Sequence, residues 1–191
     1  MRITMGILMS IGGLAMGVFS FFKTKSADNK LSSPEDPEKT STWAEAIHIE
    51  DPFEKEKMLS HAETNAENVI EMHFIYNQFI HLYYRQRNKW AHAPRLCKEY
   101  CGRDIEIFPE FIEKYIEENL NGDRDPEKLP LMPSFKRLII IHETNGDIQK
   151  AINTCKLAIS HQLRDGSEEG FEGKLQRLED QLQSAEPESV N

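Results

Sequence analysis

Between residues 66 and 87 the large side chains of Val69, Met72, His73, Tyr76, Phe79, Ile80 and Tyr83 return every third or fourth position. That spacing places them on one face of a helix, whereas a strand would bury every second residue. The stretch therefore commits the chain to an amphipathic helix of about six turns. The same period recurs in shorter segments. Asp51 followed by Pro52 has the form of a capped helix start, with Phe53, Met58, Leu59 and Ala62 on one face. Further helices are predicted over 94–106, 109–119, 133–144, 148–163 and 171–183. Breaks fall between them at Asn121-Gly122, Pro126, Pro130, Asn145-Gly146 and Asp165-Gly166. The β-branched run 139–141 is flanked by helical pattern on both sides. The predicted fold class is all-α, with antiparallel helix-turn-helix units packed in series behind one N-terminal hydrophobic helix.

That N-terminal helix is predicted from residues 3–22, which carry no charged side chain and have only Thr4, Ser10 and Ser20 as polar ones. At ~1.5 Å per residue the run spans ~30 Å, the thickness of a bilayer's hydrocarbon core. A retained single-pass anchor over 1–23 is the expectation, with Ile3, Leu8, Gly13, Gly17 and Phe22 along it. A cleaved secretory signal is the rival, although the run ends in Val18, Phe19, Phe21 and Phe22, where a cleavage site wants small residues. A buried core helix is the third reading. Arg2 lies before the run and Lys23, Lys25 and Lys30 after it, a surplus that places the body on the cytoplasmic side. Gly6, Ser10, Gly13 and Gly17 form a small-residue stripe, and the Gly13/Gly17 spacing offers a close-packing face for a homodimer.

Residues 24–42 contain one large apolar side chain, Leu31, among Pro34, Pro37 and many Ser, Asp, Glu and Lys residues, so they form a linker and not a core. The helical domain is expected over 43–184, with a disordered tail over 185–191. The whole chain has a formal net charge of −9, while its first thirty residues set four basic side chains against Asp28. The acidity is therefore concentrated downstream. An acidic body repels phosphate backbones and anionic lipid, which argues against nucleic acid as a partner and for neutral or basic proteins. Three cysteines are an odd number for a disulfide-stapled scaffold and fit a reducing compartment.

In the segment from 135 to 159 two helices meet at the turn Asn145-Gly146-Asp147. The segment carries Phe135 and Leu138 early in the first helix and Ala151 and Ala158 in the second. It resembles the tetratricopeptide repeat, with Ile139 and His142 departing from that family's usual small residue and aromatic. A weaker copy lies upstream in Tyr76, Phe79, Tyr83, the Arg87-Asn88 turn, Cys97, Cys101, Ile105 and Pro109. Additional chain around 90–94 and an Asp104 where a small residue is usual set it apart. Residues 110–132 would hold one more helix between the copies, and 171–183 would cap the end. The resemblance implies a short curved solenoid, whose concave wall is formed by first helices. On that wall it implies Asn77, His81, Tyr84, Lys136, Ile140 and Glu143 as contacts for a protein or peptide partner.

The function expected is thus a membrane-tethered protein–protein interaction module, an adaptor or scaffold. The alternatives are a structural or regulatory subunit of a larger membrane-associated complex, a secreted helical protein, and an enzyme. Little supports the last. Cys97 and Cys101 stand one helical turn apart, but Cys101 and Cys155 share a register at which a second helix buries its side chain, and a buried free cysteine behaves as a small hydrophobe. His48, His61, His73, His81, His92, His142 and His161 form no ligand pair at metal spacing, and His73, His81 and His142 lie on or beside apolar helix faces. Asp123 and Asp125 lack the remaining ligands of a calcium loop. Glu106, Glu110, Glu113, Glu117 and Glu118 read as a solvated face. No phosphate loop or nucleophile elbow occurs, so no catalytic residue, metal site or cofactor is expected.

Overall fold

The computed structural model describes residues 43–185. The expected anchor over 1–23, with Ile3, Leu8, Gly13, Gly17 and Phe22, lies outside the described residues, as do the 24–42 linker and residues 186–191. Seven α-helices make up the described part: α1 (Trp43–Ala46), α2 (Pro52–Thr64), α3 (Val69–Gln86), α4 (Ala93–Leu120), α5 (Pro133–Thr144), α6 (Ile148–Ser160) and α7 (Gly170–Ala185). A 3-10 turn, Pro126–Lys128, lies between α4 and α5. Among these residues there is no strand, and no helix is long and apolar enough to cross a membrane.

The helix starts are built from local chemistry. The Asp51 carboxylate accepts from the amides of Phe53 and Glu54 at 3.0 and 2.9 Å, and Pro52 follows at the first helical position, where its missing N–H costs nothing. Asn68 caps α3 by accepting from Glu71 N at 2.9 Å, while the Glu71 side chain reaches back to the Glu67 amide. Gly146, at φ +77°, makes the left-handed step between α5 and α6 that a side chain would strain.

Each helix packs on the next in sequence, most extensively α3 on α4, and α5 also touches α3. Two apolar clusters result. One holds Leu59, Phe79, Ile80 and Tyr83 with Cys97 and Cys101 of the first half of α4. The other holds Phe108 and Phe111 of the second half of α4 with Phe135, Ile139, Cys155 and Phe171. The helix α2 is further tied by Tyr83 donating to Glu56 at 2.7 Å, and by Tyr100 and Arg103 donating to Glu63 at 3.0 Å each.

Two expectations are corrected here. The predicted helices 94–106 and 109–119 are one continuous helix, α4, with Pro109 inside it. Consequently no separate helix follows between residues 110 and 132. Pro109 is exposed, so the carbonyl its missing N–H leaves one turn earlier, at Ile105, is on the wet side of the helix, and burial of Phe108 and Phe111 holds the turn closed. Phe53 does not face the core either. It is 63% exposed and lies against Trp90, ring centroids 4.7 Å apart.

Gly102, in the middle of α4, is exposed, and a Cβ there would meet nothing within 4 Å. Gly102→Ala is therefore expected to stabilise the domain by roughly 0.5–1 kcal/mol through lost unfolded-state entropy, read as a higher urea midpoint at unchanged slope.

One polar chain runs through the apolar interior. His73 and Asp104 are both fully buried, with His73 Nδ1 2.6 Å from an Asp104 oxygen. Its other ring nitrogen lies 2.9 Å from the Asn77 amide nitrogen. The imidazole stacks on Phe111 with centroids 3.7 Å apart. The Asp104 that departs from the repeat pattern is thus matched by a histidine from the facing helix.

Candidate functional site

Tyr84 stands near the end of α3, where three helices meet. Its ring is clasped between two guanidiniums: that of Arg87, 4.2 Å from the ring centroid, and that of Arg137 from α5, at 3.7 Å. Arg87 also donates to the Tyr84 carbonyl at 2.6 Å. A ring face attracts a guanidinium by ~0.5–1 kcal/mol at such sites. Arg137 therefore pins α5 against the end of α3 and fixes the ring.

Two cavities flank this clasp. The first, of about 520 Å³, lies between α3, the start of α4 and α5. Tyr84, Pro94, Cys97, Ile140 and Ile141 give it an apolar floor, and Arg87, Arg95 and Lys98 edge it with positive charge. The second, of about 660 Å³, lies between the loop after α1, the start of α2 and the end of α3. His81, Lys55 and Arg85 line it. Partial burial, and then the charges of Arg137, Lys55 and Arg85, hold the His81 pKa below the ordinary imidazole value. Burial and the nearby Arg85 likewise lower that of Lys55. Each cation raises the cost of charging the next.

Of the six residues predicted to face a partner, Tyr84 and Ile140 share the first cavity, and His81 lines the second. His81 is exposed there. The other three are elsewhere. Asn77 is buried and hydrogen-bonded to His73, so its side chain belongs to the interior. Lys136 points to the loop before α7, donating to the Asp165 carbonyl at 3.1 Å. Glu143 exerts its field on Cys155 and Arg177, on the side of α6 and α7. Of the six, Tyr84 and Ile140 are the pair that the structure brings into one cavity. Arg137 escapes a sequence reading because its role depends on α5 lying against α3. The one available hint is the run Arg85, Arg87, Lys89 in an acidic chain.

The remaining polar clusters have structural partners. Cys97, Cys101 and Cys155 are buried free thiols. Burial pushes Cys155 up to about 11, and the adjacent Cys97 and burial push Cys101 up as well, which keeps both protonated and poorly nucleophilic. Among the described residues no three His, Cys, Asp or Glu side chains gather as a metal-ligand set. Asp123 pairs with Lys128, and Asp125 accepts from the Glu127 amide at 3.0 Å.

Asp165 closes the turn into α7. It accepts from the amide and hydroxyl of Ser167, and its other oxygen lies 3.3 Å from the buried Lys174 ammonium. Burial alone would raise its pKa, but the Ser167 hydrogen bonds and the Lys136 and Lys174 charges outweigh burial and hold it below the usual carboxylate value. A lowered folded pKa means that this stabilisation is complete above the unfolded carboxylate pKa, near ~3.9, and is lost as pH falls through the lower folded value. Asp165→Asn is expected to flatten the loss of stability as pH falls below about 4, measured by urea unfolding in acid.

No protein-family model matches the chain, and no curated protein or solved structure is significantly similar to it.

Proposed function

We propose that this chain is a membrane-tethered protein-interaction module, and that it takes a peptide segment of a partner protein into the cavity between α3, α4 and α5. The observation that carries the reading is the convergence of Tyr84 and Ile140, from two different helices, on one apolar-floored cavity of about 520 Å³. The Arg137 clasp holds the Tyr84 ring still before any partner arrives, so little side-chain entropy is lost on docking. An aromatic anchor beside an aliphatic floor with a polar rim is the usual composition of a binding hot spot. Arg87, Arg95 and Lys98 edge the cavity, which favours a segment whose apolar side chain is flanked by neutral or acidic residues. The resemblance of residues 135–159 to a tetratricopeptide hairpin and the uncharged run over 3–22 support the module and its tether respectively.

The test is affinity purification of tagged full-length protein from membranes, with mass spectrometry of what co-purifies. Tyr84→Ala combined with Ile140→Glu is expected to lower recovery of a specific partner at least tenfold, since central hot-spot truncations cost ~2 kcal/mol or more. Lys136→Glu, at the distant α7 turn, is expected to leave it unchanged. Equal recovery by the wild type and the Tyr84/Ile140 variant would overturn the assignment.

A further inference from the structure

We infer that the second cavity, between the α1–α2 loop and the end of α3, is a binding site for a phosphate monoester group. This inference stands apart from the peptide-binding reading, because it concerns a different ligand and is tested at Lys55 and Arg85, although Arg87 lines both cavities. It begins from an imbalance of charge. The chain has 32 acidic and 23 basic residues, so most cations of the domain find a carboxylate. Arg95, Arg103, Lys128, Lys156, Arg164 and Arg177 all do. Yet Lys55, Arg85, Arg87 and Lys89, which line this cavity, have no carboxylate within 4.0 Å among the described residues, nor does the neighbouring Arg137. Glu50 is the one acidic residue among the lining side chains, and it is exposed. Four cations with no carboxylate partner among the described residues, of which Arg87 is already stacked on Tyr84, are thus gathered with His81 in one concavity of a protein with acid to spare. Burial first, and their mutual repulsion second, disfavour charge on Lys55 and His81. A bound anion would remove that repulsion.

Charge density selects the kind of anion. A carboxylate brings one negative charge, whereas a phosphate monoester brings about −1.5 to −2 with three strong acceptor oxygens. One such group meets an arginine fork, an ammonium and an imidazole together. The cavity is also larger than a phosphate needs, since its 660 Å³ is in the ~300–1,000 Å³ range of small-molecule sites. Ile47, Ile49 and Leu82 supply apolar lining beside the cations. The ligand class is therefore a phosphate monoester attached to a partly apolar body, from either a soluble ester or a lipid headgroup.

The test is calorimetric titration of the full-length protein in non-ionic detergent, at matched ionic strength, with phenyl phosphate, dihexanoyl phosphatidate and citrate in separate runs. Saturable one-site binding is expected for at least one of the two phosphate probes. Lys55→Gln and Arg85→Gln are each expected to weaken it about tenfold or more, the loss typical of a charged hydrogen-bond partner. Arg137→Gln, on another helix, should weaken it less. Lys114→Gln, whose ammonium pairs with Glu117 on α4, should leave it unchanged, and circular dichroism checks that each variant stays helical. Phosphatidate binding more tightly than phenyl phosphate identifies a lipid headgroup as the source, and the reverse order identifies a soluble ester. The inference is overturned if neither phosphate probe saturates, if the Lys55 and Arg85 variants bind like the wild type, or if citrate binds as tightly as both phosphate probes.

Discussion

Asp104→Ala is expected to destabilise the domain by about 3 kcal/mol or more, seen as a lower urea midpoint in circular dichroism. The size of the effect follows from where the carboxylate sits. Asp104 is fully buried and 2.6 Å from His73 Nδ1, with the His73 ring packed on Phe111 and bonded through its far nitrogen to Asn77. Removing the carboxylate leaves a ring nitrogen with no partner in a region that water does not reach, and that desolvation is uncompensated. The network is not fully satisfied as it stands, because a second Asp104 oxygen and the Asn77 carbonyl oxygen have no hydrogen-bond partner. Those two unpartnered oxygens lower its net contribution to stability, while the His73–Asp104 contact joins α3 to α4. His73→Ala and Asp104→Ala should consequently not be additive. Most of the loss is shared, and a double-mutant cycle should give a coupling of about 1 kcal/mol or more. Additive losses would mean that the two side chains act independently.

Phe135→Ala is expected to cost about 3–5 kcal/mol, the combined loss of transfer energy and of packing around the cavity left behind. Phe135 has no exposed surface, and its ring meets Phe108 edge-on with centroids 5.6 Å apart. It thereby joins α5 to the second half of α4, and the helices on either side are held by their own contacts and so collapse only partly into the gap. Thermal unfolding should show a fall of roughly 10 °C, whereas Phe135→Leu, which keeps most of the volume, should lose less than half as much. A similar loss for both substitutions would show that the site tolerates no aliphatic replacement, and that ring shape matters more than volume.

Much of this arrangement is legible in the sequence, and the rest is not, for reasons that lie in particular residues. The face carrying His73, Tyr76, Phe79, Ile80 and Tyr83 is buried, because a 3.6-residue period is a direct readout of one helical side. Gly146 and Asn121-Gly122 mark helix ends because only left-handed backbone continues there. Pro109 misleads, since propensity counts its lost hydrogen bond but not the burial of Phe108 and Phe111 on either side of it. Asn77 misleads for a related reason. Its register suits an exposed wall, and only the presence of His73 four residues earlier draws it inward. The Tyr84 clasp and the cluster of unpaired cations depend on which helix lies beside which, and spacing along the chain does not encode that. The repeat resemblance implied one wall for Tyr84 and Ile140 together with Asn77, His81, Lys136 and Glu143, whereas Lys55 and Arg137 had no such guide.

The unbroken course of α4 through Pro109 bears on how the domain comes apart. At ~1.5 Å per residue a helix of 28 residues is about 42 Å long, and it contributes side chains to both apolar clusters. A solenoid of separable hairpins frays from its ends, each unit opening with its own free energy. Here neither half can open without stripping one side of a helix that the other half still holds. Amide exchange along the middle of α4 should therefore be the slowest in the domain and report a single global opening, so that a disturbance at one end is felt at the other as a change in the stability of the whole.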